Sequence, residues 1–313
     1  MKDALYGGVN AAVLTPMHAD LTPDIARMAD HARWLLANGC TGLGLLGTTG
    51  EAASFGLHER RAILEGLIAA GIPAAKLMPG TGCASLGDTV ELTRHARDMG
   101  CPGVLMLPPF YYKAPSDDGL FAYFSAVIER VGPGIKIYLY HFPQQSAVPF
   151  SLDLIDRLLT AFPDTIKGVK DSSGDYANML AMVERFAARG FEVYTGSDEY
   201  LQQILAAGGA GCITAASNAN CQYGGIVYAK RTGPEADAAQ AKMTATRRAA
   251  TSVPLIPGLR QVIAHARGDD AWLTIRPPHL PLSAEQAKTV IAAWEAAGAL
   301  PLPGLDGLAK AAE

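Results

Sequence analysis

The chain has 313 residues, 49% of them hydrophobic and 18% charged, with a formal net charge of −4. That supplies a large core for one or two domains, and it leaves no basic stripe for a nucleic-acid groove or an anionic membrane surface. No stretch approaches the roughly 18 uninterrupted apolar residues of a membrane span, and the opening MKDALYGGVN has one lysine with no apolar run behind it, so a soluble, cytoplasmic protein is expected.

The first strand-like run is NAAVLT (10–15). An amphipathic helix follows, with Ile25, Met28, Ala29, Ala32, Leu35 and Leu36 at i, i+3, i+4 spacing. Thr22 is its expected N-cap, Pro23 its first residue and Gly39 its stop. The second run, TGLGLLG (41–47), contains G-x-G-x-x-G. A dinucleotide site needs those glycines to leave a strand and open a helix at once. Here the first two lie within the strand, and the next helical pattern starts only near Leu57 or His58. The glycines are therefore read as close backbone packing inside a crowded barrel. The loop beyond, GTTGE (47–51), offers two adjacent hydroxyls, Thr48 and Thr49, among residues that expose backbone N–H groups. It suits a carboxylate or phosphate, with an ordinary polar turn as the alternative.

Six further runs follow: KLMPGTG (76–82), GVLMLP (103–108), KIYLYHF (136–142), IKGVKD (166–171), FEVYTG (191–196) and GCITAA (211–216). Between the fifth and sixth, Ser151 precedes a helix striped by Leu154, Ile155, Leu158 and Leu159. Eight strand–helix units predict an α/β fold, a closed (β/α)8 TIM barrel over residues 1–222, with a doubly wound open sheet as the rival. From 223 the strand signal stops. Residues 223–313 read as a C-terminal helical extension packing on the barrel, with Ser283 and Gln286 in a capping-box pattern and a loose Pro/Gly/Ala-rich tail from 300. The five cysteines (Cys40, Cys83, Cys101, Cys212, Cys221) include no C-x-x-C pair. They are read as reduced thiols, with no metal site expected.

TIKGVKDSSGD (165–175) poses the functional question, because it sets two lysines three positions apart in an apolar run. Alternation puts Ile166, Gly168 and Lys170 on one face and Lys167 and Val169 on the other; it does not say which face points inward. Lys170 closes its strand, and barrel active sites are built at that end. In KIYLYHF, Ile137 and Leu139 suit packing on helices, which leaves Tyr138 and Tyr140 for the interior. Tyr140 then ends its strand beside Lys170. A lysine kept at the usual pKa is the free amine only about once in 2500 molecules at pH 7. A desolvated one loses part of that handicap and can add to a ketone to form a Schiff base. A phenol can relay the protons, and a hydroxyl-rich loop can hold the substrate's carboxylate. These are the needs of a keto-acid aldolase, which requires no metal or organic cofactor because the lysine is itself the electron sink.

GTTGE (47–51), YHFP (140–143) and GVKDSSG (168–174) resemble motifs of the dihydrodipicolinate synthase / N-acetylneuraminate lyase superfamily, and PPFYYKAPSDDGL (108–120), YTGSDEYLQQILAAGGAGCIT (194–214) and RPPHLPLS (276–283) fit it too. The resemblance spans nearly the whole chain. It implies a class I pyruvate-dependent aldolase on a (β/α)8 barrel with a C-terminal helical extension, commonly a homotetramer. By resemblance, Lys170 forms the Schiff base, Tyr140 is the proton relay, and Thr48 and Thr49 hold the pyruvyl carboxylate, with Thr48 placed in the relay and Gly47 beside them. Tyr112, or its neighbour Tyr111, completes the site of a neighbouring subunit. Gly196 and Ile213 line the imine pocket.

There are departures. Where the biosynthetic synthases carry an arginine that grips the aldehyde's carboxylate, this chain has Gln145, which supplies neither fixed charge nor a bidentate fork. His141 stands where asparagine is common and is a candidate substrate contact. The leading expectation is therefore an aldolase that cleaves or forms a 4-hydroxy-2-oxo acid of sugar-acid type, from pyruvate or another 2-oxo acid and an aldehyde. The alternatives are dihydrodipicolinate synthase itself, a deoxy sugar acid dehydratase, and a non-catalytic 2-oxo-acid binder.

Overall fold

In the computed structural model, residues 4–299 and Leu302 are described; the tail read as loose from 300 lies, Leu302 apart, outside the described residues. The eight strand-like runs form eight strands: β1 (Gly8–Ala12), β2 (Gly42–Leu45), β3 (Leu77–Pro79), β4 (Gly103–Met106), β5 (Lys136–His141), β6 (Ile166–Asp171), β7 (Glu192–Thr195) and β8 (Gly211–Thr214). All named pairs are parallel, in the order β3-β2-β1-β8-β7-β6-β5-β4. The remaining seam, between β3 and β4, is spanned by a parallel bridge from Gly80 to Leu105. The open-sheet rival is thereby excluded.

The helices are α1 (Ile25–Ala37), α2 (Leu57–Ala69), α3 (Leu86–Asp98), α4 (Asp117–Val131), α5 (Pro143–Ser146), α6 (Leu152–Ala161), α7 (Tyr176–Phe186), α8 (Leu201–Ala206), α9 (Ser217–Lys230), α10 (Pro234–Ala250), α11 (Leu255–Arg267) and α12 (Ala284–Ala296). Their caps follow the local chemistry. Ser151 accepts from the Leu154 N–H at the start of α6, and Ser283 and Gln286 form the full capping box of α12. The start of α1 differs from expectation: its cap is Asp24, which accepts from the Arg27 N–H, and not Thr22. Pro23 is held outside the helix by a bridge to Met17, so the first carboxylate after it takes the orphan N–H groups instead. The division drawn at 222 falls inside α9, which packs on both β1 and α10.

Two shells of side chains explain the closure. The outward residues, among them Ile137, Leu139, Ile166, Val169 and Val193, join the helices in one large core. The inward set, Tyr6, Met78, Leu105, Tyr138, Tyr140, Tyr194 and Ile213, fills the barrel. Gly42 and Gly44 belong to this crowded interior: a Cβ on Gly42 would come within 2.5 Å of Asn10 Oδ1, and one on Gly44 within 3.3 Å of Ile213. That is the packing reading of GLGLLG. A third cluster, with Leu14, Leu259, Trp272, Val290 and Trp294, joins α10, α11 and α12 to the strand ends. The five cysteines are free and buried, and no described helix is long and apolar enough to cross a membrane.

The face assignment of β6 needs one correction. Ile137 pairs with Ile166 but Tyr138 pairs with Gly168, so a bulge at Lys167 breaks the alternation. Ile166 consequently faces the helices with Val169, while Gly168 and Lys170 face inward.

Candidate active site

The floor of the barrel is a buried polar knot that uses up one of the two lysines. The Glu192 carboxylate, wholly buried, accepts from Tyr138 Oη at 2.9 Å and Tyr194 Oη at 2.7 Å and from the Leu5 N–H at 3.1 Å. Lys167 Nζ lies 3.3 Å from the same carboxylate and donates to the Gly190 carbonyl. Burial, reinforced by Glu192 and, for Tyr138, by the neighbouring Tyr194, pushes the Tyr138 and Tyr194 phenols above their ordinary range, so both remain donors. Lys167 is therefore the counter-ion of a structural carboxylate.

Lys170 lies at the other end of the same strand. It is 5% exposed, and its Nζ sits over the Tyr140 ring, 4.3 Å from the centroid. The two residues are exact cross-strand partners on β6 and β5. No ion pair holds Lys170 among the described residues, so the ring face is its electrostatic partner here. The Tyr140 hydroxyl meets Thr48 Oγ1 at 3.2 Å, and Thr49 beside it is buried. Amine, phenol and hydroxyl from β6, β5 and the loop after β2 thus converge at the C-terminal mouth of the barrel.

Conformation and anchoring hold that loop in place. Leu46 and Glu51, which bracket Gly47–Gly50, both take left-handed backbone angles (φ 51° and 57°) that side chains rarely adopt. Thr15 Oγ1 donates to the Gly50 carbonyl at 2.8 Å. The Glu51 carboxylate is tied to the Arg260 guanidinium in a pair 0% and 1% exposed, and Arg260 also donates to the Thr15 and Trp272 carbonyls. The C-terminal helical layer therefore grips the hydroxyl loop directly. Sequence reasoning passed over Glu51 and Arg260 because 209 residues separate them.

On the β6 side, Asp171 faces away from the cavity. It accepts from the Ser173 N–H and hydroxyl at 2.7 and 2.6 Å and from Asn178 Nδ2 at 2.7 Å, which fixes the turn after Lys170. At Gly196, a Cβ would fall 2.1 Å from Ser172 Oγ, so only glycine lets the loop after β7 lie against that turn.

These elements enclose a cavity of about 380 Å³ lined by Thr48, Thr49, Tyr140, Gln145, Lys170 and Gly196, with Ser172, Ser173, Ser197, Arg247, His279 and the start of α11 completing the wall. It adjoins a second cavity of about 580 Å³ that also touches Thr48, Tyr140, Gln145 and His279. Not every residue singled out from sequence reaches the first cavity. Gly47 lines only the second. Ile213 is buried in the barrel packing below. His141 points outward from β5, opposite to Tyr140; its Nδ1 accepts the Phe150 N–H at 3.1 Å, and burial lowers its pKa. Tyr111 and Tyr112 stand on the loop before α4, 72% and 76% exposed, edge to face with each other.

A sequence profile described as the dihydrodipicolinate synthetase family matches residues 5–297. The chain belongs to this family. An uncharacterized DapA-like lyase of Chloroflexus aurantiacus is 36% identical over 290 residues, 92% of this chain and 96% of that protein. A 4-hydroxy-tetrahydrodipicolinate synthase of Corynebacterium urealyticum is 34% identical over 67% of each chain. Among solved structures, the dihydrodipicolinate synthase of Agrobacterium tumefaciens superposes with a TM-score of 0.86 at 32% identity, covering 92% of this chain and 98% of that one. YagE, a prophage protein of Escherichia coli K12 solved in complex with pyruvate, superposes with the same score at 25% identity, covering 95% of this chain and 100% of that one. The chain is a carbon–carbon lyase on the family's TIM-barrel fold.

Proposed function

We propose that this enzyme is a pyruvate-dependent class I aldolase whose imine forms on Lys170, and that its physiological substrate is a 4-hydroxy-2-oxo acid of sugar-acid type. The observation that carries the reading is the convergence of a buried lysine, the Tyr140 ring beneath it and the Tyr140–Thr48 hydroxyl contact at 3.2 Å. In this chemistry the free amine of Lys170 attacks the ketone carbon of pyruvate, the oxygen leaves as water, and a protonated imine results. Loss of a C3 proton gives the enamine, whose C3 attacks an aldehyde; the reverse sequence cleaves the product. In this reading Tyr140 and Thr48 carry the protons, which their hydroxyl contact supports. Thr48, Thr49 and the backbone of their loop hold the pyruvyl carboxylate. Tyr111 or Tyr112, exposed on one chain, is suited to reach a neighbouring copy in a homotetramer.

The preference for a sugar-acid substrate rests on the other wall. Gln145 lines the cavity where the biosynthetic synthases carry their arginine, and Ser172, Ser173 and Ser197 add hydroxyls suited to a polyhydroxy chain. The names of relatives such as the Corynebacterium protein favour a second reading, condensation of pyruvate with aspartate semialdehyde. Aldehyde-dependent loss of pyruvate, measured with aspartate semialdehyde and with a panel of hydroxy-aldehydes, decides between them. Faster turnover of the hydroxy-aldehydes is expected; efficient use of the semialdehyde would defeat the preference.

A further inference from the structure

The ionisable side chains lining the imine cavity are Tyr140, Lys170, Arg247 and His279, with no carboxylate among the described residues of its wall. Lys170 is consumed in the imine, and the Tyr140 hydroxyl is engaged with Thr48 at 3.2 Å. Arg247 keeps its protons and faces the buried Asp198, whose Oδ2 lies 3.6 Å from Nη1. That leaves His279, which sits where the two cavities meet and lines both, together with Thr48, Tyr140 and Gln145. The fold fixes its backbone and makes no use of its ring. Arg276, just before it in the chain, donates to the Leu21 and Ser54 carbonyls, pairs with Glu59 at 2.5 Å and lies over the Phe55 ring, 4.2 Å from the centroid. The His279 N–H donates to the Arg276 carbonyl at 3.1 Å, but the half-buried imidazole has no hydrogen-bond or ion-pair partner among the described residues. The rings of His18, His31, His95, His141 and His265 each have one, and His58 is exposed and lines neither cavity.

We propose that His279 is a catalytic residue of the carbon–carbon step: its imidazole exchanges the proton on the C4 oxygen of the 4-hydroxy-2-oxo acid. This deepens the aldolase reading and rests on it. In condensation the enamine C3 attacks the aldehyde carbon, the carbonyl electron pair moves onto oxygen, and the imidazolium gives that oxygen its proton. The enamine becomes an iminium, which water hydrolyses to release product and amine. In cleavage the neutral imidazole takes the C4 hydroxyl proton as the C3–C4 bond breaks to enamine and aldehyde. Phenols and aliphatic hydroxyls hold their protons near neutral pH and so serve to relay them; an imidazole can also take one up. The proton traffic is thereby divided, with Tyr140 and Thr48 serving the imine and C3, and His279 serving C4.

The test separates the half-reaction on pyruvate from formation of the new bond. The parent enzyme, His279→Gln and His279→Asn are each assayed for exchange of the pyruvate methyl protons with deuterated solvent, which needs the imine and C3 alone. They are then assayed for condensation of pyruvate with glycolaldehyde, glyceraldehyde and aspartate semialdehyde. Both amides keep a polar group near the ring's place and cannot take up a proton there. Each variant is expected to keep the parent's exchange rate and to lose about 10²- to 10⁴-fold in kcat for condensation, with KM for the aldehyde little changed. Condensation at the parent's rate, a loss confined to KM, or a parallel loss of exchange and condensation in both variants would overturn the proposal, as would a parent that exchanges yet condenses none of these aldehydes. A parent that does not exchange would instead overturn the aldolase reading beneath it.

Discussion

Replacing Tyr140 by phenylalanine would keep the ring under Lys170 Nζ and remove only the hydroxyl that meets Thr48. Imine formation should then survive while proton transfer suffers. Exchange of the pyruvate methyl protons with deuterated solvent is expected to slow by about 10²- to 10⁴-fold, the usual contribution of a positioned acid–base group, with far less change in borohydride trapping. Equal exchange rates in variant and parent would remove Tyr140 from the relay. The same scale explains why the two lysines of one strand differ. Residue types in IKGVKD raised the question, and position at the strand's end favoured Lys170. The bulge that turns Ile166 outward arises from pairing with β5, which no local pattern encodes. His141 shows the limit from the other side: its motif position suggested substrate, but strand alternation after Tyr140 sends it outward to the Phe150 N–H.

Among the elements, the hydroxyl loop and α11 behave as one unit because Glu51 and Arg260 are paired out of water. Removing one partner of a buried pair leaves an uncompensated charge. Arg260→Met is expected to cost about 3–5 kcal/mol of stability, read from urea denaturation; a loss below about 1 kcal/mol would show that water compensates Glu51 and that the loop is held otherwise. Between α1 and α11, burial and the Arg267 guanidinium hold the His31 pKa down to about 3 from 6.5. Its Nδ1 lies 2.7 Å from Arg267 Nη2 and its Nε2 3.1 Å from Asn218 Oδ1. Unfolding below pH 6.5 takes up a proton that the native imidazole refuses. The stability contributed by neutral His31 is therefore complete above about pH 6.5 and is lost as pH falls toward 3, with a limiting slope of about 1.4 kcal/mol per unit. His31→Gln should flatten the pH dependence of unfolding between pH 6.5 and 5; an unchanged slope would contradict the assignment. Strand runs and the caps at Ser151 and Ser283 were legible because each depends on neighbours in sequence. The Glu51–Arg260 and His31–Arg267 contacts were not, since they join opposite ends of the chain.

For the whole molecule, the eight-fold alternation of strand and helix was enough to indicate the barrel, and the order of motifs enough to indicate the family. What escaped was how the helical layer after the barrel reaches the cavity: α11 anchors the loop through Arg260 and α10 brings Arg247 to the cavity wall. The exposed Tyr111–Tyr112 pair belongs to the same scale. Sedimentation is expected to show a tetramer in solution, and Tyr112→Ala to lower turnover even where the tetramer persists; a fully active monomer would refute a shared site. The chemistry of the whole enzyme depends on which amine captures the carbonyl. Intact enzyme treated with pyruvate and borohydride, then digested and mapped by mass, is expected to carry one reduced pyruvyl group on Lys170; labelling at Lys167, or no labelling, would contradict it.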